Sequence, residues 1–166
     1  MIKQKENIFE TVYLGLGTNL GNKRENIDLA LENIEKQIGN IVSLSAFYLS
    51  EPDGFESDNL FLNCAVEIET TLLPNDLLTK TQLIENEMGR LNKTDSDGYT
   101  DRIIDIDILF YDDMVINDSP TLIIPHPRIS QRDFVLKPLA EIAPDFVHPV
   151  LNKTITQLEE ELNFSH

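Results

Sequence analysis

Two aspartates are the residues best suited to chemistry in this chain. Asp105 and Asp107 sit in the run Arg102-Ile103-Ile104-Asp105-Ile106-Asp107-Ile108-Leu109-Phe110-Tyr111. β-Branched and aromatic residues dominate that run, so it reads as a strand. Side chains alternate between faces along a strand, which predicts Asp105 and Asp107 on one face and Ile104, Ile106, Ile108 and Phe110 on the other. On a buried face, each of two adjacent carboxylates would have to give up its hydration. A divalent cation between them makes the pair tolerable. Hard oxygen ligands at this spacing suit Mg²⁺, which keeps its remaining positions for water and substrate phosphates. The plain alternative is a strand with one solvated face, because Asp-x-Asp is a short pattern. Arg102, directly upstream, favours the metal, since a phosphate-bearing substrate needs cations beside its metal.

Other candidates are less specific taken singly. His126 is framed by Pro125 and Pro127, with Arg132 and Phe134 a short way beyond, and a lone histidine is more often structural. Gln82 and Glu85 are three residues apart and share a helix face, whose default reading is a solvated surface. Cys64 lies in the apolar run Leu62-Asn63-Cys64-Ala65-Val66 and reads as a buried structural thiol. His148 and His166 have no comparable setting.

The elements that must position these groups follow from local patterns. Thr11 to Leu16 reads as a strand entering the turn Gly17-Thr18-Asn19-Leu20-Gly21. Asn22 is an N-cap with Glu25 three residues on, and Ile27, Leu31, Ile34 and Ile38 follow at helical spacing before Gly39. The glycine turn matches neither the Walker pattern nor the dinucleotide fingerprint, because Gly21 is followed by Asn22 and position 20 is Leu. Ile41 to Tyr48 and Leu60 to Ile68 read as two further strands, joined by a turn-rich loop from Ser50 to Asp58. Pro74 opens a helix with Leu77, Ile84 and Met88 on its buried stripe. The polar segment between Arg90 and Arg102 has no core-forming pattern and reads as a mobile loop with an arginine at each end. After the acidic strand come a turn at Asp112-Asp113, a short return strand Met114-Val115-Ile116, and closing helices at Leu139 to Ile142 and Ile155 to Leu162. The order β-α-β-β-α-β predicts an α+β, ferredoxin-like fold, with two helices on one face of an antiparallel sheet and the ligand on the other.

Composition narrows the partners. Thirteen Lys and Arg against 29 Asp and Glu give a formal net charge of −16, and no basic run interrupts it. That excludes broad binding to nucleic acid or to an anionic membrane. A single cysteine excludes an intrachain disulfide framework and fits a reducing, cytoplasmic setting. No run approaches the ~20 apolar residues of a membrane span. The 166 residues are expected to form one domain, with 1–10 as a loose leader and 151–166 as a C-terminal helix and tail. Small-molecule substrates are expected, and a monomer suffices for them.

Five pieces in order resemble the 6-hydroxymethyl-7,8-dihydropterin pyrophosphokinase family of folate biosynthesis. They are Leu16-Gly17-Thr18-Asn19-Leu20-Gly21, Phe61-Leu62-Asn63-Cys64-Ala65-Val66, Arg102 to Leu109, Pro125-His126-Pro127, and Arg132-Asp133-Phe134-Val135-Leu136-Lys137-Pro138-Leu139. The resemblance implies transfer of pyrophosphate from ATP to the pterin hydroxymethyl group, with release of AMP. It implies that Asp105 and Asp107 hold two Mg²⁺ ions, with Arg90 and Arg102 completing the catalytic set by closing on the phosphates. His126 and Arg132 would contact the nucleotide phosphates, and Gln82, Glu85 and Ile108 would complete the ATP site. Phe61 and Phe134 would stack on the pterin, with Asn63, Ser50, the backbone of Asp53, and the loop aromatic Tyr99 around it. Asp105 is the implied proton acceptor.

The chain departs from the family pattern in places. Tyr99-Thr100-Asp101-Arg102 stands where many members have Gly-Pro-Arg, and Asn92 stands where a second arginine is common. Glu51 and Asp53 replace apolar residues. Two rival readings use the same residues, an Asp-x-Asp nucleotide-sugar transferase and a ferredoxin-like module that binds a small ligand without chemistry. The first calls for a longer chain with a Rossmann-like half.

Overall fold

A computed structural model describes residues 8–52, 57–89, 103–118 and 120–165. The first strand, β1 (Glu10–Thr18), turns at Gly21 (φ 66°) into α1 (Lys23–Gln37). Asn22 caps that helix by accepting the Glu25 N–H at 3.1 Å, which satisfies one of its orphan amides. Then come β2 (Gly39–Leu44), β3 (Tyr48–Ser50), β4 (Phe61–Thr70) and α2 (Pro74–Glu87), the last with proline at its first position as expected. The acidic strand is β5 (Asp105–Tyr111). A small hairpin follows, β6 (Ile116–Asp118) with β7 (Leu122–Ile124), and then α3 (Asp133–Ile142) and α4 (Ile155–Phe164). The leader expected at 1–10 ends earlier than its boundary, since Glu10 already pairs with Thr70.

The main sheet is antiparallel throughout, in the order β2-β4-β1-β5 with β3 also paired to β4. This is the ferredoxin-like arrangement. Ile27, Ala30 and Ile34 of α1 and Leu77 and Ile84 of α2 pack on one face against Val12, Leu14, Leu16, Val66, Ile68, Ile106 and Ile108. Cys64 is buried on this same side.

The other face is divided. One half carries Tyr13, Ala65, Leu109 and Phe110, covered by Val135, Leu136 and Leu139 of α3 and by Ile155 and Leu158 of α4. The two helices of the ferredoxin-like core share one face as expected, α3 and α4 are additions on the other, and α3 starts at Asp133, well before the expected Leu139. The uncovered half of this face holds the candidate site.

Three local departures have clear physical causes. Phe110 does not share a face with Ile104, Ile106 and Ile108. The β1–β5 pairing steps from Leu14↔Ile108 to Tyr13↔Phe110, so Leu109 is an extra, bulged residue that flips everything after it. Leu109 and Phe110 thereby join the α3–α4 side, while Tyr111 packs with the α1–α2 side. The strand expected over Ile41 to Tyr48 is two strands, because Ser45 replaces a backbone partner with its side chain. Its Oγ accepts the Ala65 N–H at 2.9 Å and donates to the Ala46 carbonyl at 2.7 Å. The expected return strand at Met114 to Ile116 begins only at Ile116 and pairs with β7, not with β5.

Candidate active site

Two glycines make the floor. Gly15 and Gly17 follow Tyr13 at alternate positions of β1 and so share its face, where the absence of side chains leaves the sheet surface open. A Cβ on Gly17 would sit 3.1 Å from Asn63 Oδ1 and 3.5 Å from Phe61 Cδ1. On either side of this floor, β4 presents Phe61 and Asn63, and β5 presents Asp105 and Asp107. α2 supplies Gln82 and Glu85, the end of β3 supplies Ser50, and the chain around the start of α3 supplies His126, Arg132 and Phe134. Together they line one cavity of about 620 Å³. Ten of the residues singled out in the sequence thus meet in one place.

Three of these side chains have their orientation settled by hydrogen bonds. Asn63 is 5% exposed, and its Nδ2 donates to the Tyr48 carbonyl at 3.1 Å and to Ser50 Oγ at 2.8 Å. With both amide hydrogens used, Oδ1 is turned toward Gly17 as an acceptor for N–H groups of a ligand. Glu85 is 6% exposed, and its carboxylate accepts the Ile106 N–H at 2.8 Å. That amide points out from the edge of β5 away from β1, so Glu85 ties α2 to the strand between the two aspartates. The face taken by default as solvated is, at Glu85, buried.

His126 is placed by the bulge. Its N–H donates to the Leu109 carbonyl at 3.0 Å, and its Nδ1 accepts the Arg128 N–H at 3.2 Å. An accepting Nδ1 leaves the proton on Nε2. Burial, and then the positive charges of Arg132 and Arg128, push its pKa down to about 4, against the opposing pull of Asp105. The imidazole is therefore a neutral hydrogen-bond donor at pH 7. The Arg132 guanidinium lies over the Phe134 ring at 5.5 Å from its centroid, so cation and ring support each other.

Carboxylates reach the cavity from β5, from α2 and, through Glu51, from the chain after β3, and the cations Arg128 and Arg132 come from the segment leading into α3. Among the described residues no group of three His, Cys, Asp or Glu side chains could hold a metal ion. Two aspartates with the remaining positions left to water and phosphate oxygens is a donor set that fits Mg²⁺. A dedicated protein cage for Ca²⁺ or Zn²⁺ would need more ligands.

Comparison with known proteins decides the family. The 7,8-dihydro-6-hydroxymethylpterin-pyrophosphokinase (HPPK) family matches residues 13–144. The chain belongs to this family. The 2-amino-4-hydroxy-6-hydroxymethyldihydropteridine pyrophosphokinase of Porphyromonas gingivalis is 46% identical over 138 residues, which cover 83% of this chain and 93% of that protein. The enzyme of the same name from Aquifex aeolicus is 40% identical over 151 residues, or 91% of each chain. The fold is shared with the crystal structure of wild-type HPPK-DHPS from Plasmodium falciparum, with a TM-score of 0.74 at 21% identity. That match covers 95% of this chain, which spans 45% of the longer Plasmodium one. As a member of the HPPK family the chain is an enzyme, a pyrophosphokinase of the folate pathway.

Not every expected site residue enters the cavity. The Ile108 side chain is buried on the α1–α2 side and is not among the lining residues. Alternation along β5 requires this, since Ile108 follows Asp107 directly. Arg90, Arg102, Tyr99 and Asp53 lie outside the described residues, as do Asn92 and Asp101. Conversely, Arg128, Thr81 and Gly15 line the cavity without having been singled out. Arg128 had a legible signal, a cation directly after Pro127 in a chain with few of them. Thr81 had none.

Proposed function

We propose that this HPPK family member transfers the terminal pyrophosphate of ATP to the hydroxymethyl group of 6-hydroxymethyl-7,8-dihydropterin and releases AMP. The observation that carries the reading is one cavity that brings together a carboxylate pair from β5, the amide of Asn63, the rings of Phe61 and Phe134, and the cations Arg128 and Arg132. In the reaction the pterin hydroxyl oxygen attacks the β-phosphorus of ATP. The bond from that phosphorus to the oxygen bridging to the α-phosphate breaks, and AMP leaves with the bond's electron pair. Asp105 accepts the hydroxyl proton. Such transfers depend on positioning and charge stabilisation more than on a strong base.

Each wall has a part in this. Asn63 offers Oδ1 to the N–H edge of the pterin, Ser50 extends that edge, and Phe61 and Phe134 supply aromatic faces, with the backbone of Asp53 and the Tyr99 ring added by the family resemblance alone. Gln82 and Glu85 border the nucleotide, while Arg132 and the neutral Nε2–H of His126 meet its phosphates. Arg90 and Arg102 add positive charge there by the family resemblance. Asp105 and Asp107 would hold two Mg²⁺ ions, which supply charge neutralisation at the attacking and leaving oxygens. One domain carries the activity, acting as a monomer. The buried, free Cys64 supports a cytoplasmic setting. Among the described residues no helix is long and apolar enough to cross a membrane.

The test is a product assay with ATP, Mg²⁺ and 6-hydroxymethyl-7,8-dihydropterin that separates AMP from ADP. Pterin-dependent AMP is the expected result. ADP as the product, or no nucleotide turnover despite pterin binding, overturns the reading, and the latter points to the non-catalytic module.

A further inference from the structure

We propose that Glu141, at the far end of α3 from the cavity, is a positioning residue for pterin recognition, clamping β3 so that Asn63 and Ser50 present the right atoms. The inference rests on the pyrophosphokinase reading and names a determinant of the same pocket.

The geometry starts from a weak element. β3 has three residues and, among the described residues, pairs with β4 alone, with no described strand on its other edge. A strand that short does not keep its register by itself. Its register matters because Tyr48 pairs with Asn63 and Ser50 with Phe61. The Tyr48 carbonyl and Ser50 Oγ are the two acceptors that fix the Asn63 amide. A slip of β3 would release Nδ2 and let the amide turn, exchanging an acceptor for a donor at the cavity wall.

Glu141 secures this strand from outside the sheet. Its Oε2 accepts the Ala46 N–H at 2.7 Å, with Oε1 at 3.2 Å, and Oε1 also accepts the Tyr48 hydroxyl at 3.0 Å. The Glu141 hydrogen bond is the main reason that the Tyr48 hydroxyl titrates above its ordinary range, so the tyrosine stays a donor. Ala46 follows Ser45, the residue that breaks the edge strand, so the clamp falls where the chain leaves one register and must find the next. Glu141 belongs to the helix whose first turn carries Phe134. One rigid helix thereby sets both the ring that stacks on the pterin and, through β3, the amide that reads its edge.

The experiment compares the full-length wild type with Glu141→Ala, Glu141→Gln, Tyr48→Phe and the Glu141→Ala/Tyr48→Phe pair, using ATP, Mg²⁺ and 6-hydroxymethyl-7,8-dihydropterin. Glu141→Ala should raise the pterin KM about five-fold, as loss of a clamp of hydrogen bonds implies, with kcat and the ATP KM little changed. Glu141→Gln keeps a carbonyl acceptor and should recover most of the loss. Tyr48→Phe should shift the pterin KM in the same direction and add nothing in the Glu141→Ala background. An unmoved pterin KM in folded Glu141→Ala, or equal rises in both KM values, overturns the proposal. Should Glu141→Ala fail to fold, Tyr48→Phe decides alone, and an unmoved pterin KM there overturns it too. A wild type that forms no pterin-dependent AMP defeats the functional reading and this inference with it. A wild type that turns over, beside variants with unmoved KM, defeats this inference only.

Discussion

At the residue scale, the cavity is organised by which atom each polar side chain has left after its protein partners are counted. Asn63 has spent its donors on Tyr48 and Ser50 and keeps an acceptor; His126 has spent Nδ1 on Arg128 and keeps a donor. Glu85 spends one oxygen on the Ile106 amide, so it acts on the strand as well as on whatever fills the cavity. Asp105 and Asp107 both line the cavity and are the pair proposed to meet the substrates. Asp107→Ala should therefore reduce pyrophosphoryl transfer by about a thousandfold or more, the loss of a charge-stabilising centre worth several kcal/mol. The fold should survive, because Asp107 belongs to neither apolar cluster. Urea unfolding should place the variant within about 0.5 kcal/mol of wild type. An Asp107→Ala protein that unfolds, yet whose refolded fraction still transfers, would overturn the proposed metal role of the aspartates. The types and spacing of these residues were legible from sequence, because Asp-x-Asp on a β-branched strand has a two-residue period that needs no tertiary information. The burial of Glu85 was not, since its partner is a backbone amide twenty-one residues away on the outer edge of another element.

Elements were legible where their signal is periodic and fail where a hydrogen bond is taken by an unexpected group. The α1 and α2 stripes, the Asn22 cap and Pro74 all follow local rules and appear as expected. The Leu109 bulge leaves no mark in the pattern, because Ile108, Leu109, Phe110 and Tyr111 are all apolar and any register of them buries well. Its consequence is large, since the Leu109 carbonyl receives the His126 N–H and so sets the histidine against the cavity. Ser45 is equally silent in sequence. Its hydroxyl stands in for a strand carbonyl opposite Ala65, both residues being buried. Ser45→Ala removes that acceptor and leaves the Ala65 N–H buried and unmatched. The expected cost is about 1–3 kcal/mol in urea unfolding, well above that of an ordinary surface change. A Ser45→Ala protein as stable as wild type would mean that the β2–β3 break is held by other contacts.

On the scale of the whole molecule, a chain of net charge −16 has few cations to place, and Arg128 and Arg132 both line the cavity, where the proposed reading needs positive charge for a polyphosphate. The same excess of negative charge makes the response to acid a test of the histidines. Protonation relieves self-repulsion, so charge alone predicts that mild acidification stabilises the fold. The histidines predict the opposite. His126 has its pKa pushed down to about 4 by burial and by Arg132, and burial also lowers that of His148, whose Nδ1 accepts the Val150 and Leu151 amides. Their ordinary value is 6.5. Between the two values the unfolded chain binds more protons than the native one, so stability rises with pH across that window. The contribution is complete above about pH 6.5 and is lost as the pH falls toward the native values. Between pH 7.5 and 5.5 the histidines of the unfolded chain take up protons while the native His126 stays neutral, and carboxylates, whose ordinary values lie near 4, keep most of the −16 in place. The urea midpoint should therefore fall on going from pH 7.5 to 5.5 in high salt, which screens the residual repulsion. Replacing both histidines by glutamine should flatten that slope, whatever it does to the midpoint itself. A wild-type midpoint that rises toward pH 5.5 would mean that His126 and His148 are not held neutral, and that the Nε2–H of His126 is not the neutral donor the proposed phosphate contact requires.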